Sequence, residues 1–193
     1  MKGRSALLIV GVAIASALVA STPATARPIE NAHFINEFVD GPYDCDGLTT
    51  AVDEGTVRVH VLGNLRGSSP FPFYVENVNG TVVTTNLETG GTFTQTFANS
   101  GRDHTIVDNG NGTITITVHA QGIVRYYDQF GRFVLKDPGA LWFSFVLDYN
   151  GTPGDPSDDE EVPDSFQVVR PSTGNSDLSD RDFCADLRQF TTP

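Results

Sequence analysis

From Val57 onward apolar and polar positions alternate with a period of two, interrupted at short intervals by Gly and Asn. Val57, Val59 and Val61 alternate with Arg58, His60 and Leu62, and Ile114, Ile116 and Val118 alternate with Thr113, Thr115, Thr117 and His119. Successive strand side chains point to opposite faces, so each run predicts a strand with one face toward a core. Asn-Gly accepts the positive φ of a tight hairpin turn. On that signal Asn79-Gly80 separates a strand over 73–78 from one over 81–87, Thr89-Gly90-Gly91 leads into 92–98, and Asn109 to Gly112 join 104–108 to 113–119. Gly131 splits 123–128 from 132–136, and Pro138-Gly139 leads into 141–149.

Eight to ten short strands joined in this way predict an all-β fold built as a single antiparallel meander. The segment Leu141 to Leu147 is apolar on both faces and needs cover from both sides, as in a barrel with a filled lumen or at the centre of a sandwich. Consecutive hairpins close into a barrel more directly than into a Greek-key sandwich, and closure removes the free edges. A closed or partly closed β-barrel is the expected architecture, with a β-sandwich as the alternative. Near the C-terminus a short helical turn is expected around Ser179 to Gln189, with Ser179 or Asp180 as its N-cap.

The first 26 residues do not belong to that pattern. Lys2 and Arg4 precede an apolar run from Ala6 to Ala20, and Ala24-Thr25-Ala26 places small residues where a signal peptidase reads them. This is the layout of a secretory signal peptide, 1–26, leaving one β domain over 27–193. The apolar run is shorter than the roughly 20 residues needed to span a bilayer. Cleavage would remove two cations and no acid, taking the formal charge from the −12 of the full chain to −14. Such an acidic chain is not expected to bind nucleic acid, nor a membrane once the signal is gone. Secretion also gives the two cysteines a role: Cys45 and Cys184, near opposite ends of the domain, are expected to form a disulfide.

Candidate chemistry is sparse. The connection Asp148 to Glu161 concentrates six carboxylates with Asn150 among Pro and Gly, and Asp148, Asn150, Asp155, Asp158 and Asp159 offer the oxygen ligands that calcium takes. Their spacing departs from the EF-hand, with Thr152 and Pro153 where that loop carries an acid and Gly, so a solvated acidic loop is the competing reading. His60 and His119 fall on the polar side of their strands and could share one surface. With Glu76 they are the polar candidates for a pocket. No HExxH, GxSxG or Gly-rich phosphate loop is present, so no catalytic residue is assigned.

The Ala-x-Ala signal, the cysteine in an acidic stretch near the start, the loop Gly151 to Glu160 and the closing Arg181-Asp182-Phe183-Cys184-Ala185-Asp186-Leu187 together resemble small exported proteins of actinobacteria without an assigned function. That resemblance implies secretion and the disulfide and brings no site residues. The expected function is a secreted, monomeric, non-catalytic binding protein for a small apolar ligand or an extracellular partner, for instance a ligand in a barrel mouth. Two alternatives stand beside it: a barrel-type enzyme, cyclase- or isomerase-like, with a polar residue in an apolar lumen, and a calcium-binding extracellular structural protein.

Overall fold

Six long strands follow one another as antiparallel neighbours: β1 (Glu30–Cys45), β2 (Thr49–Leu65), β3 (Pro72–Asn86), β4 (Thr92–Asp108), β5 (Thr113–Tyr127) and β6 (Phe133–Asp148). Two short segments, β7 (Glu160–Glu161) and β8 (Gln167–Thr173), then return along the outer edge of β6, and a helix, α1 (Phe183–Thr191), ends the fold. This is a computed structural model, and it describes residues 28–192; the signal-peptide expectation lies outside them. At 15 to 17 residues each, the long strands run about 50 Å.

The sheet is open, and the barrel expectation is corrected. Closure would require the outer edge of β1 to meet β6, but the chain after β6 has taken that edge, pairing Leu147 with Glu161, Phe143 with Val168 and Ala140 with Thr173. With no closed lumen, a ligand in a barrel mouth has no place.

Two of the predicted hairpin turns, Asn79-Gly80 and Pro138-Gly139, are corrected as well. Asn79-Gly80 lies inside β3, pairing with Arg58 and Val57 on one side and with Ala98 and Phe97 on the other. Gly122 lies inside β5 and Pro138-Gly139 inside β6. None of these glycines takes a positive φ, and a glycine in extended backbone often marks a close approach of neighbouring atoms. Here the neighbours are side chains: a Cβ on Gly80 would sit 2.7 Å from the Phe97 ring, and one on Gly55 would sit 2.5 Å from Phe38. Of the predicted turns, those at Gly90, Gly110 to Gly112 and Gly131 do reverse the chain, and Gly47 and Gly67 lie in the turns before β2 and β3; all these glycines have positive φ.

Strand alternation sorts the sheet into two faces. The apolar face carries Phe34 and Phe38 of β1, Val57, Val59 and Val61 of β2, Phe97 of β4, Val118 and Val124 of β5 and Phe143 of β6. It is covered only toward its ends. At one end α1 lays Leu187 onto Cys45, Ala51, Phe93, Tyr126 and Leu135. At the other, Phe71 and Tyr149 pack with Ile114, Ile116 and Val118. Between them no described residue forms a second layer, and Phe34 remains 55 % exposed.

The helix is held by covalent and polar ties. Cys45 and Cys184 form the expected disulfide, linking the end of β1 to the first turn of α1. Asp182, rather than Ser179 or Asp180, is the N-cap, accepting the Ala185 N–H at 2.7 Å. Buried Asn86 accepts from the Thr49 hydroxyl at 2.6 Å and donates to the Thr191 hydroxyl at 2.9 Å, which itself donates to the Leu187 carbonyl. A buried amide satisfied on both sides fixes the orientation of the helix.

Candidate functional site

On the uncovered part of the apolar face, the twist of the sheet leaves a trough of about 420 Å³. Its apolar walls are Val78 of β3, Val118 and Ala120 of β5 and Phe143 of β6; its polar groups come from Tyr74, Glu76 and Asp103. Gly101 and Ala120, cross-strand partners on β4 and β5, are small enough to leave the space open.

A kink in β4 puts Asp103 there. The register slips between Asp103 and Thr105, so β4 cannot offer a carbonyl to the first residues of β3, and the Asp103 carboxylate accepts the Tyr74 backbone N–H at 2.8 Å instead. Only 8 % of Asp103 is exposed. Burial pushes its carboxyl above the ordinary range, opposed by the Tyr74 N–H and by the charge of Arg66.

Tyr74 contributes more than that N–H. Its ring lies across Gly63 of β2, filling the space a side chain would take there. Its hydroxyl is buried and has no hydrogen-bond partner at good geometry. Burial first, then the neighbouring Glu30 carboxylate, push this phenol up to about 12. The ring is turned toward Glu30 across β2, so the hydroxyl faces away from the trough.

Set against family models, curated proteins and solved structures, the chain matches none.

The residues singled out from the sequence are dispersed. Glu76 is in the trough, whereas His60 and His119 lie on the opposite, polar face, three strands apart. His60 stacks on His33 at 4.1 Å, and His119 tilts onto Trp142 at 4.7 Å. In the acidic loop the polar groups bond one another: Asp148 accepts the Asn150 N–H, Asn150 donates to the Asp158 carbonyl, and the Thr152 hydroxyl donates to the Asp158 carboxylate. Asp155 caps the 3₁₀ turn Pro156–Asp158, and its bonds from Ser157 hold its pKa down. Asp159 is shifted up, by burial first and then by Asp158, Asp155 and Asp148.

A metal-ligand grouping occurs elsewhere. Among the described residues, Asp46, Asp182 and Cys184 bring one potential ligand atom each within 4.8 Å of the others. The Cys184 sulfur is in the disulfide, so what the grouping offers a divalent cation such as calcium is two carboxylates, one of them already capping α1.

Neither Asp103 nor Tyr74 was singled out from the sequence. A lone acid between Arg102 and His104 carries no motif, and its burial depends on the kink in β4. The one sequence cue is the broken alternation from Gly101 to Thr105.

Proposed function

We propose that the chain is an exported, non-catalytic binding protein, and that the trough on the apolar face of the sheet is its ligand site. The ligand class follows from the lining. Val78, Val118, Ala120 and Phe143 suit a small apolar body, and Asp103 with Glu76 suit one hydroxyl or amine on it. The observation that carries this reading is the buried Asp103 carboxyl in a concavity otherwise walled by Val78, Val118, Ala120 and Phe143. Export is supported by the signal-like N-terminus and by the disulfide.

Asp103 also favours a second reading, a proton-transfer enzyme, because a carboxyl held above its ordinary pKa in an apolar surrounding suits an acid or base. It is ranked second because the histidines lie on the other face and supply no partner.

The test uses N-phenyl-1-naphthylamine, a fluorescent probe with an apolar body and one N–H. Saturable fluorescence enhancement is expected with the wild-type protein, reduced by Ala120→Trp, which fills the trough. An absent or non-saturable signal, or one indifferent to Ala120→Trp, would refute the assignment.

A further inference from the structure

The polar face of the sheet carries a charge pattern that the net charge conceals. Every Arg and Lys borne by a strand projects from it: Arg58 on β2, Arg102 on β4, Arg125 on β5, Lys136 on β6 and Arg170 on β8. His33, His60 and His119 share that face. The acids in the middle of the strands mostly point the other way, as Glu30, Asp40, Asp53, Glu76, Asp103 and Asp137 do.

These five cations are unpaired. Among the described residues the ion pairs are Arg132 with Asp128 and Arg181 with Asp186, both outside the strands' polar face. Four of the five are exposed and Lys136 is half-buried, its backbone N–H bonded to Asp177. Glu37 and Glu54 are the acids on this face near mid-sheet, and they line a separate depression of about 470 Å³ with Val39, Thr56, Thr81 and Val83.

Between the cations lies a groove of about 640 Å³. Asn77, Asn79, Ser100 and Gln121 give its floor amide and hydroxyl groups beside the apolar Ile123 and Pro138, and small Ala98 and Ala140 keep it open. Arg102, His119 and Arg170 bound one end, Arg125 and Lys136 the other, and Arg58 with His60 the side toward β1. From His119 to Arg125 along β5 the groove spans about 20 Å.

We propose that this groove binds a short oligosaccharide bearing carboxylates. Guanidinium groups without protein partners match carboxylates in charge and in fork geometry. The amide and hydroxyl floor matches sugar hydroxyls, each able to donate and accept. The length exceeds what a single small anion would use. A single-stranded nucleic acid would stack its bases on free aromatic faces, and the tryptophan at this rim is occupied: His104 lies perpendicular to it at 4.7 Å, His119 tilts against it, and Arg170 lies over the ring at 5.1 Å. That packing holds His119 and Arg170 at the rim.

The proposal is tested by calorimetric titration of the full mature chain with tetragalacturonate, alongside the neutral galactose tetramer and an oligothymidylate. Tetragalacturonate is expected to bind with a salt-dependent affinity, and Arg102→Ala and Arg170→Ala are each expected to weaken it about tenfold. Gln121→Ala should weaken it severalfold, while Ala120→Trp on the opposite face leaves it unchanged. Arg102, Gln121 and Arg170 are exposed and Ala120 is half-buried, and circular dichroism checks that each variant keeps the wild-type fold. The proposal falls if tetragalacturonate gives no heat up to millimolar concentration, if the neutral tetramer binds equally well, if oligothymidylate binds more tightly, or if the arginine variants bind like wild type.

Discussion

The Asp103 carboxylate accepts the Tyr74 backbone N–H at 2.8 Å, a side chain standing in for the strand carbonyl that the kink in β4 removes. One slip of register thus satisfies a backbone donor, buries an acid and places both residues in the trough.

The acid titration of the fold follows from two carboxylates shifted in opposite directions. Asp103, raised by burial, holds its proton more firmly when folded, so its contribution is most favourable in acid and declines as pH rises from the ordinary carboxylate range through the folded value. Asp128, lowered chiefly by its bond from Arg132, contributes stability above the ordinary range that is lost as pH falls through its folded value. Asp103→Asn keeps an oxygen for the Tyr74 N–H. Its stability relative to wild type in urea unfolding should improve from acid toward neutral pH; a difference independent of pH would count against the burial of Asp103.

Two tyrosines should ionise late. Tyr74 and Tyr43 are both pushed up to about 12, by burial first and then by Glu30 and Asp53 respectively. Unfolded tyrosines ionise near 10, so these groups cost the fold stability as pH rises past that value. Spectrophotometric phenolate titration should show a late class that loses one member in Tyr74→Phe.

Stability should be concentrated at the capped end of the sheet. Leu187 is fully buried under the sheet, and Leu187→Ala should cost about 2–5 kcal/mol. Phe34→Ser, on the uncovered mid-face, should change stability by no more than about 0.5 kcal/mol. Chemical unfolding of both variants checks the contrast; equal losses would mean that the mid-face is covered in solution.

Reduction of Cys45–Cys184 should be similarly severe. The disulfide closes almost the whole domain, and the chain-entropy account assigns about 4–5 kcal/mol to a loop of that size. The urea midpoint with and without reductant measures it, and an unchanged midpoint would show that α1 docks without the bond.

Much of this fold is legible in the sequence because period-two alternation reports on strands directly. Val57 to Val61 and Ile114 to Val118 place their side chains on the apolar face as their spacing predicts. Closure is not legible, because it depends on where the chain after β6 returns, and Gln167 to Thr173 carries no strong alternation to show that it occupies that edge. Asn79-Gly80 misleads for a local reason: the Phe97 ring shelters Gly80 within an unbroken strand. A Gly80→Ala substitution would also bring a methyl within 2.5 Å of the Thr56 carbonyl oxygen, and is expected to cost about 1–3 kcal/mol in urea unfolding. The trough escaped notice because Tyr74 and Asp103 meet only across two strands and a kink.

The central claim is that the mid-face trough is a ligand site, and its most direct test is an NMR titration of the ¹⁵N-labelled mature chain with N-phenyl-1-naphthylamine. The expected result is saturable shift changes confined to the amides of Tyr74, Val78, Gly101, Asp103, Ala120 and Phe143. Changes centred on the polar face, or none at saturating probe, would contradict it.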